Sequence, residues 1–366
     1  MLPLVFEAVN EFRNGRGQPV LNGREGCQTR VTPSVPPLDG LIKPVGNNPP
    51  YSGGLIAKNK TKLTSMRSHS VQFLHKWRVR ADALRTDRRN TGIFLTVEVI
   101  FVPSSILLGD CHTHLDQYPP AEMPEILDRA RESGVAFAVC AGTTLKSTKD
   151  CIDLAEEHGP LYAGVGIHPM EAREPVTEEI YAELERMAKS SAKVVCISEV
   201  GLDYLPASPD HDTQDQVFRE HIRLARSLGL PVIFHSRESH SAVFKVLREE
   251  NAGEMGGAMH YFQGDEATAR EAINCGFYIS LARPLTRLPE LQEVAKVIPL
   301  ENIVLEPDAA PQPFKKYRTN WTEPRHVQSV AETLAEIKGI TVDEVARVTT
   351  GNLARLLRLE RRVKTD

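Results

Sequence analysis

From Ile106 onward, short β-branched runs alternate with amphipathic segments, which predicts a parallel α/β fold. Ile106-Leu107-Leu108 reads as the first strand and Ala121–Ser133 as the helix after it. Val135–Ala141 is the second strand, and Ser147–His158 the next helix, with Ser147 as its N-cap. Tyr162–Ile167 and Val194–Glu199 follow as strands, with a helix over Thr177–Lys189 between them. The clearest helix is Asp212–Leu228: Val217, Ile222, Ala225 and Leu228 share a side, Asp212 caps the start and Gly229 the end. Pro231–His235 is the fifth strand and Ser239–Glu250 its helix. Gly256–His260, Phe277–Ser280 and Ile303–Glu306 complete the set, and Gly134, Gly159, Gly229 and Gly276 mark helix-to-strand joints. Eight strands, each followed by a helix, in about 250 residues predict a (β/α)8 TIM barrel over 106–360, with a doubly wound open sheet as the alternative.

The first 105 residues follow no such pattern. Gly, Pro, Asn and Ser dominate from Asn14 to Gly54, no helical or strand period survives, and the stretch is expected to be disordered. Ser68–Arg89 reads as a short basic helix, suited to nucleic acid or to an organellar address, against the plainer alternative of a solvated tail. Ile93–Val102 is strand-like, and too short and interrupted to span a bilayer. Through Ser105 the chain carries 15 Lys/Arg against 7 Asp/Glu; with a total of −4, the remainder stands at −12. A barrel of that sign excludes a protein-wide basic surface and leaves room for a local basic groove.

Cys27, Cys111, Cys140, Cys151, Cys196 and Cys275 show no paired spacing, and no basic stretch leads into an apolar leader. An intracellular protein, cytoplasmic or nuclear, is therefore expected, with no membrane partner. The oligomeric state is not set by anything in the sequence.

The reactive residues cluster by position. In Asp110-Cys111-His112-Thr113-His114, strand periodicity puts Asp110, His112 and His114 on one face, where Asp110 is expected to orient an imidazole from behind. Glu199 ends strand four, His235 strand five and His260 strand six, and Asp308 comes just past strand eight. Singly, each has a plain structural reading: a hydrogen-bonded histidine, or a carboxylate capping a turn or a helix. Together they sit where a barrel opens its active face. Mixed imidazole and carboxylate donors suit Zn, Mn, Fe or Mg. Six ligands exceed one catalytic zinc, so two cations roughly 3.5–4 Å apart, bridged by Glu199, are expected.

The ordered set Asp-x-His-x-His, Gly166-Ile-His-Pro169, Ser198-Glu-Val-Gly-Leu-Asp-Tyr204, Phe234-His-Ser-Arg237, His260-Tyr-Phe-Gln-Gly264, Leu305-Glu-x-Asp308 and Thr350-Gly-Asn-Leu-Ala-Arg355 resembles the TatD family of metal-dependent deoxyribonucleases, amidohydrolase-like barrels. The likeness spans about 106–360. It implies that His112, His114 and Glu199 hold one divalent cation and Glu199, His235 and His260 a second (Mg, Mn or Zn), with Asp308 at the first, near the attacking water. It further implies DNA as substrate, with 3′-to-5′ exonuclease activity in some members and other ester bonds cleaved by others. Two departures stand out: Pro307 before Asp308, where the family has Thr, and Thr322-Glu323-Pro324 in place of Asn-Glu-Pro.

Phosphodiester hydrolysis is thus the expected reaction, with Asp308 as general base and the bridging Glu199 as its catalytic partner. Arg237, two residues past a ligand, is the candidate phosphate contact, a rim salt bridge being the alternative. His168 is expected to line the substrate cleft outside the ligand set, and Asp203 to orient a ligand or a substrate group. Lys315, Lys316 and Arg318 read as backbone contacts or as a solvated charge run, Tyr204 and Trp321 as base-stacking or loop-packing groups. His158, His211 and His240 read as surface histidines. The competing functions are an amidohydrolase acting on a small amide, lactone or aminoacyl ester, and a non-catalytic binding module derived from such a barrel.

Overall fold

The computed structural model describes residues 106–359 and, before them, two short antiparallel strand pairs, Glu7–Glu11 with Gln28–Thr32 and Arg78–Arg80 with Glu98–Ile100. The chain divides into two units, Met1–Ser104 and Ser105–Asp366. Gln28–Thr32 is a strand inside the stretch expected to lack one; its Thr29, Val31 and Thr32 are β-branched and suit extended backbone. Arg78–Arg80 is likewise extended where a basic helix was expected, and Glu98–Ile100 agrees with the strand-like reading. The remainder of both expectations lies outside the described residues.

Eight strands form one parallel sheet in sequential order: β1 (Leu108–Thr113), β2 (Val135–Ala141), β3 (Leu161–Val165), β4 (Val194–Asp203), β5 (Val232–Arg237), β6 (Gly257–Met259), β7 (Phe277–Leu281) and β8 (Ile303–Leu305). A doubly wound sheet would reverse direction after its first strands, so this order is a TIM barrel. The ring closes beyond β8: Thr113 pairs with Ala309 as a parallel bridge, and His114 N donates to Ala309 O at 2.7 Å.

The covering helices are α1 (Met123–Glu132), α2 (Leu145–Glu157), α3 (Glu178–Ser190), α4 (His211–Leu228), α5 (His240–Glu249), α6 (Glu266–Asn274), α7 (Pro289–Val297), α8 (Val327–Lys338) and α9 (Val342–Leu356). Two caps differ from expectation. Thr144, not Ser147, caps α2 by accepting from Ser147 N, and Asp210, not Asp212, caps α4 by accepting from Thr213 N. Gly229 ends α4 in the left-handed conformation, as expected.

Cys111, Val139, Val195, Ile233, Ala258 and Val304 form one buried cluster with Leu353, Leu356 and Leu357. Side chains from six strands of a ring meet only in its lumen, so the end of α9 seals one mouth of the barrel and chemistry is left to the other. No helix among the described residues is long and apolar enough to cross a membrane.

Candidate metal centre

Glu199 is the hub of the open mouth, and strained backbone aims it. β4 does not stop there but runs on to Asp203, and its pairing with β5 slips between Ser198 and Val200. At this bulge Glu199 takes φ 54°; Tyr261, just after His260, and Asp308 take φ 48° and 51°. Non-glycine residues held there cost about 1–3 kcal/mol each, and such strain gathers at functional sites. Gly201 lets β4 continue past the bulge, since a Cβ on it would fall 2.0 Å from the His235 carbonyl oxygen.

Around Glu199 the expected residues converge. Oε2 lies 3.6 Å from His112 Nε2 and 3.4 Å from His114 Nε2. Oε1 lies 3.6 Å from His168 Nε2 and 3.9 Å from His260 Nε2. Asp308 Oδ1 is 3.6 Å from His114 Nε2. These separations are too long for hydrogen bonds. They suit donors sharing a cation at about 2.0–2.2 Å from each. His112 Nδ1 and Nε2 and Glu199 Oε2 are buried with no hydrogen-bond partner among the described residues. An orphaned buried polar atom costs about 1–3 kcal/mol, and a cation shared by this donor set removes that cost, so the residues present fit a divalent metal.

The field has the same sense. Burial opposes ionisation of Glu199, but His114 and His112 outweigh it and hold its carboxyl well below the usual range. Burial likewise opposes charge on His114, yet Glu199 and Asp308 push that imidazole well above its ordinary value. His112, dominated by burial, is pushed down.

Partners behind the ligands fix which nitrogen faces inward. His114 Nδ1 is 3.3 Å from the Ala141 carbonyl oxygen, leaving Nε2 for the centre. His260 Nδ1 is 2.7 Å from Oε1 of buried Glu306, which also accepts from Tyr261 N at 2.8 Å and, at Oε2, from Ser280 Oγ at 2.5 Å. His235 Nε2 is 3.0 Å from Asp203 Oδ2, leaving Nδ1 free to bind. Burial pushes the Asp203 carboxyl up, but His235 and Arg237 hold it well below the ordinary range. Asp110 does not orient an imidazole: its Oδ1 accepts from His112 N at 3.0 Å, a local turn two residues long that a side chain so close in sequence favours. The orienting task falls instead to Ala141, Glu306 and Asp203. Of these, Asp203 was visible in sequence, Glu306 only as a second carboxylate beside Asp308, and a backbone carbonyl not at all.

The donors gather unevenly. His112, His114 and Glu199 present atoms within 4.8 Å of one another. On the far side it is His168, rather than His260, that closes a trio with Glu199 and His235. His260 is drawn aside, stacked on His112 with ring centres 3.7 Å apart and anchored to Glu306. His168 Nδ1 accepts from Met170 N at 3.0 Å, so its proton sits on Nε2, facing Glu199. In this tautomer His168 is suited to donate rather than to ligate. Burial pushes its pKa down to about 4.

A cleft of about 600 Å³ opens over the centre, lined by His168, Glu199, His235, Arg237, Tyr261 and Asp308 among others. A larger hollow of about 740 Å³ between α5 and α6 holds none of these residues. Arg237 lines the cleft and is also ion-paired, its Nε 2.7 Å from Asp203 Oδ2. His240 also lines the cleft, held at Nδ1 by Ser236 Oγ at 2.7 Å, and so is not the surface histidine expected. His211 stacks on Tyr204 with ring centres 3.7 Å apart, which occupies one face of that tyrosine.

Arg318 belongs to loop structure: it pairs with Glu122 and Glu323 and lies 4.6 Å over the Trp321 ring. Thr322, standing where the family has Asn, accepts from Arg283 Nη1 at 2.6 Å and is tied to Gln312 and the Tyr118 hydroxyl. That position shapes the loop. Asp308 follows Pro307 and is itself followed by Ala309, which the Thr113–Ala309 bridge holds to the first strand.

Residues 109–358 match the family model described as TatD related DNase. A Bacillus subtilis protein named as the uncharacterized metal-dependent hydrolase YabD is 36% identical over 260 residues, covering 69% of this chain and 100% of its own. The human deoxyribonuclease TATDN3 is 29% identical over 262 residues, covering 68% of this chain and 94% of its own. Among solved structures, the TatD homolog YjjV of Escherichia coli K12 superposes with a TM-score of 0.62 at 28% identity, covering 68% of this chain and 97% of that one.

Proposed function

The chain belongs to the TatD family of metal-dependent hydrolases, and from that premise we propose that it cleaves phosphodiester bonds in DNA at the centre around Glu199. The reading is carried by the orphaned buried Nε2 of His112 and Oε2 of Glu199, 3.6 Å apart, with His114 Nε2 3.4 Å from the same carboxylate oxygen. His112, His114, Glu199 and Asp308 would hold one divalent cation and Glu199, His235 and His260 a second, Mg, Mn or Zn. Bound there, such cations acidify water and neutralise charge on phosphoryl oxygens.

The protein's own groups do the rest. Burial raises the Asp308 carboxyl, but His114 and the neighbouring imidazoles outweigh it and hold it ionised at neutral pH. With 29% of its side chain exposed, it reaches the cleft and takes the proton of the attacking water. His168 donates its Nε2 proton to a phosphoryl oxygen. Arg237, steadied by Asp203, offers its remaining N–H groups to a second phosphate oxygen.

A strand, rather than a small ester, is favoured by the loop after Asp308. Phe314 is 82% and Tyr317 54% exposed, and between them Lys315 and Lys316 have no carboxylate partner among the described residues. Bases stack on exposed rings while lysines track phosphates. The 3′ end is where digestion begins, as the family likeness implies, and the work is done inside the cell, in cytoplasm or nucleus.

The test is metal-reconstituted protein against end-labelled oligonucleotides and, in parallel, small aryl and aminoacyl esters. Progressive shortening from the 3′ end is expected, and Glu199→Gln abolishes it. Metal-loaded protein that hydrolyses the esters and leaves every oligonucleotide intact overturns the proposal.

A further inference from the structure

Beside the centre, and outside it, two thiols almost touch. Cys140 lies in the buried half of β2 and Cys151 in α2; both are fully buried, and their sulfurs are 3.0 Å apart. Non-bonded heavy atoms rest about 3.5–4.0 Å apart, so this pair is closer than packing alone requires. Two thiolates on one zinc, each at about 2.3 Å, would stand roughly 3.8 Å apart. The pair is too tight for that and needs about 1 Å of approach to reach a sulfur–sulfur bond.

What surrounds the pair leads to His114. Asp116 lies on the short turn Leu115–Gln117 that follows that histidine; its Oδ1 is 3.7 Å from Cys140 Sγ and its Oδ2 accepts from Ser147 Oγ at 2.6 Å. Asp116, in contact with Cys140, and Ser147, which donates to Asp116, are themselves only partly buried. Ala141, next in chain to Cys140, supplies the carbonyl oxygen 3.3 Å from His114 Nδ1. Both chain segments that seat His114 therefore also hold a sulfur or the carboxylate beside it.

The geometry points to Cys140 and Cys151 as a dithiol that a hydroperoxide closes to a disulfide, unseating His114 through Ala141 and Asp116. One thiol takes an oxygen from the peroxide, giving a sulfenic acid and the corresponding alcohol or water. The second thiol then displaces that oxygen as water, and the sulfur–sulfur bond forms. A thiol reductant reverses the change. The crosslink stands on the sulfurs alone; its effect on the centre rests on His114 being a ligand.

The experiment uses the full chain, reduced, then exposed to hydrogen peroxide and alkylated. Trypsin separates Glu132–Lys146, which carries Cys140, from Asp150–Arg173, which carries Cys151. After peroxide they are expected to run as one species, two hydrogens lighter than their sum, and to part again with reductant. Metal retained through gel filtration should fall about tenfold on oxidation and return on reduction, the size expected for disturbing a ligand's supporting partner. Cys151→Ser should keep its metal in peroxide. Separate, alkylated peptides in a sample whose methionines are already oxidised overturn the dithiol. A crosslink with unchanged metal content overturns the link to His114. Absence of phosphodiester cleavage by the reduced protein counts against the nuclease reading alone, because the crosslink is scored without it.

Discussion

On one flank of Glu199, His112, His114 and Asp308 hang from the backbone that closes the barrel, through the Thr113–Ala309 bridge and the Ala141 carbonyl. On the other, His235 is set by the Asp203 carboxylate and His168 by the Met170 N–H. The first flank is scaffold and candidate ligand at once. The second is a set of side chains hung on hydrogen bonds, which can change while the ring stays whole. The proposed metal centre is thus tied to the barrel's backbone on one side and to side-chain hydrogen bonds on the other, and substitutions should separate the two.

The largest effect is expected from His112→Ala. Turnover should drop by at least about 100-fold, more than loss of a supporting partner costs. Metal analysis should show reduced binding while circular dichroism shows an intact barrel. Near-wild-type activity with full metal would break the assignment of the rigid flank.

Next is a control that removes scaffold effects from the comparison. His221 is buried in α4, its Nδ1 2.8 Å from the Val217 carbonyl oxygen, and burial pushes its pKa down to about 4. The unfolded imidazole titrates near 6.5, so the unfolded chain binds the extra proton first. Stability is full above about pH 6.5 and declines as pH falls towards 4, by about 3 kcal/mol in the limit. Urea titrations across that window should show the slope, and His221→Leu should flatten it without altering activity at pH 7. A slope unchanged by the substitution would mean the acid sensitivity lies in the centre.

Smaller effects should come from the partners. Glu306→Gln and Asp203→Asn are each expected to lower metal affinity by about 10–100-fold. Asp203→Asn should also raise KM for DNA, since it frees Arg237, whereas Glu306→Gln should not. Identical kinetic signatures would mean that Asp203 does not steady Arg237 for substrate. The smallest effect belongs to Lys315→Ala with Lys316→Ala: binding should weaken several-fold, and the salt dependence of DNA affinity should lose about one to two units of slope. Fluorescence anisotropy across a salt series measures it.

Much of this was legible in order and spacing. The alternation from Ile106 onward led to eight strands, and the six expected ligands fell at strand ends that a barrel brings together. What escaped were features set by three-dimensional neighbours. Strand four looked finished at Glu199 because Val-Gly-Leu reads as a turn, whereas Gly201 lets the strand run on against His235. Ser147 is the better cap by type, yet the helix begins at Leu145 and Thr144 accepts from the Ser147 N–H. His240 reads as a surface histidine, whereas Ser236, four residues earlier at the end of β5, holds its ring where it lines the cleft. Gln28–Thr32 escaped because five residues in a Gly- and Pro-rich stretch show too short a period to register.

The seam between Thr113 and Ala309 has a consequence for how the protein comes off the ribosome. Since the stitch that completes the circle sits beside Asp308, a polypeptide still short of its final strand owns histidines without a finished mouth to put them in. The first strand's histidines therefore meet Asp308 only after the eighth strand and the residue beyond Asp308 have been made.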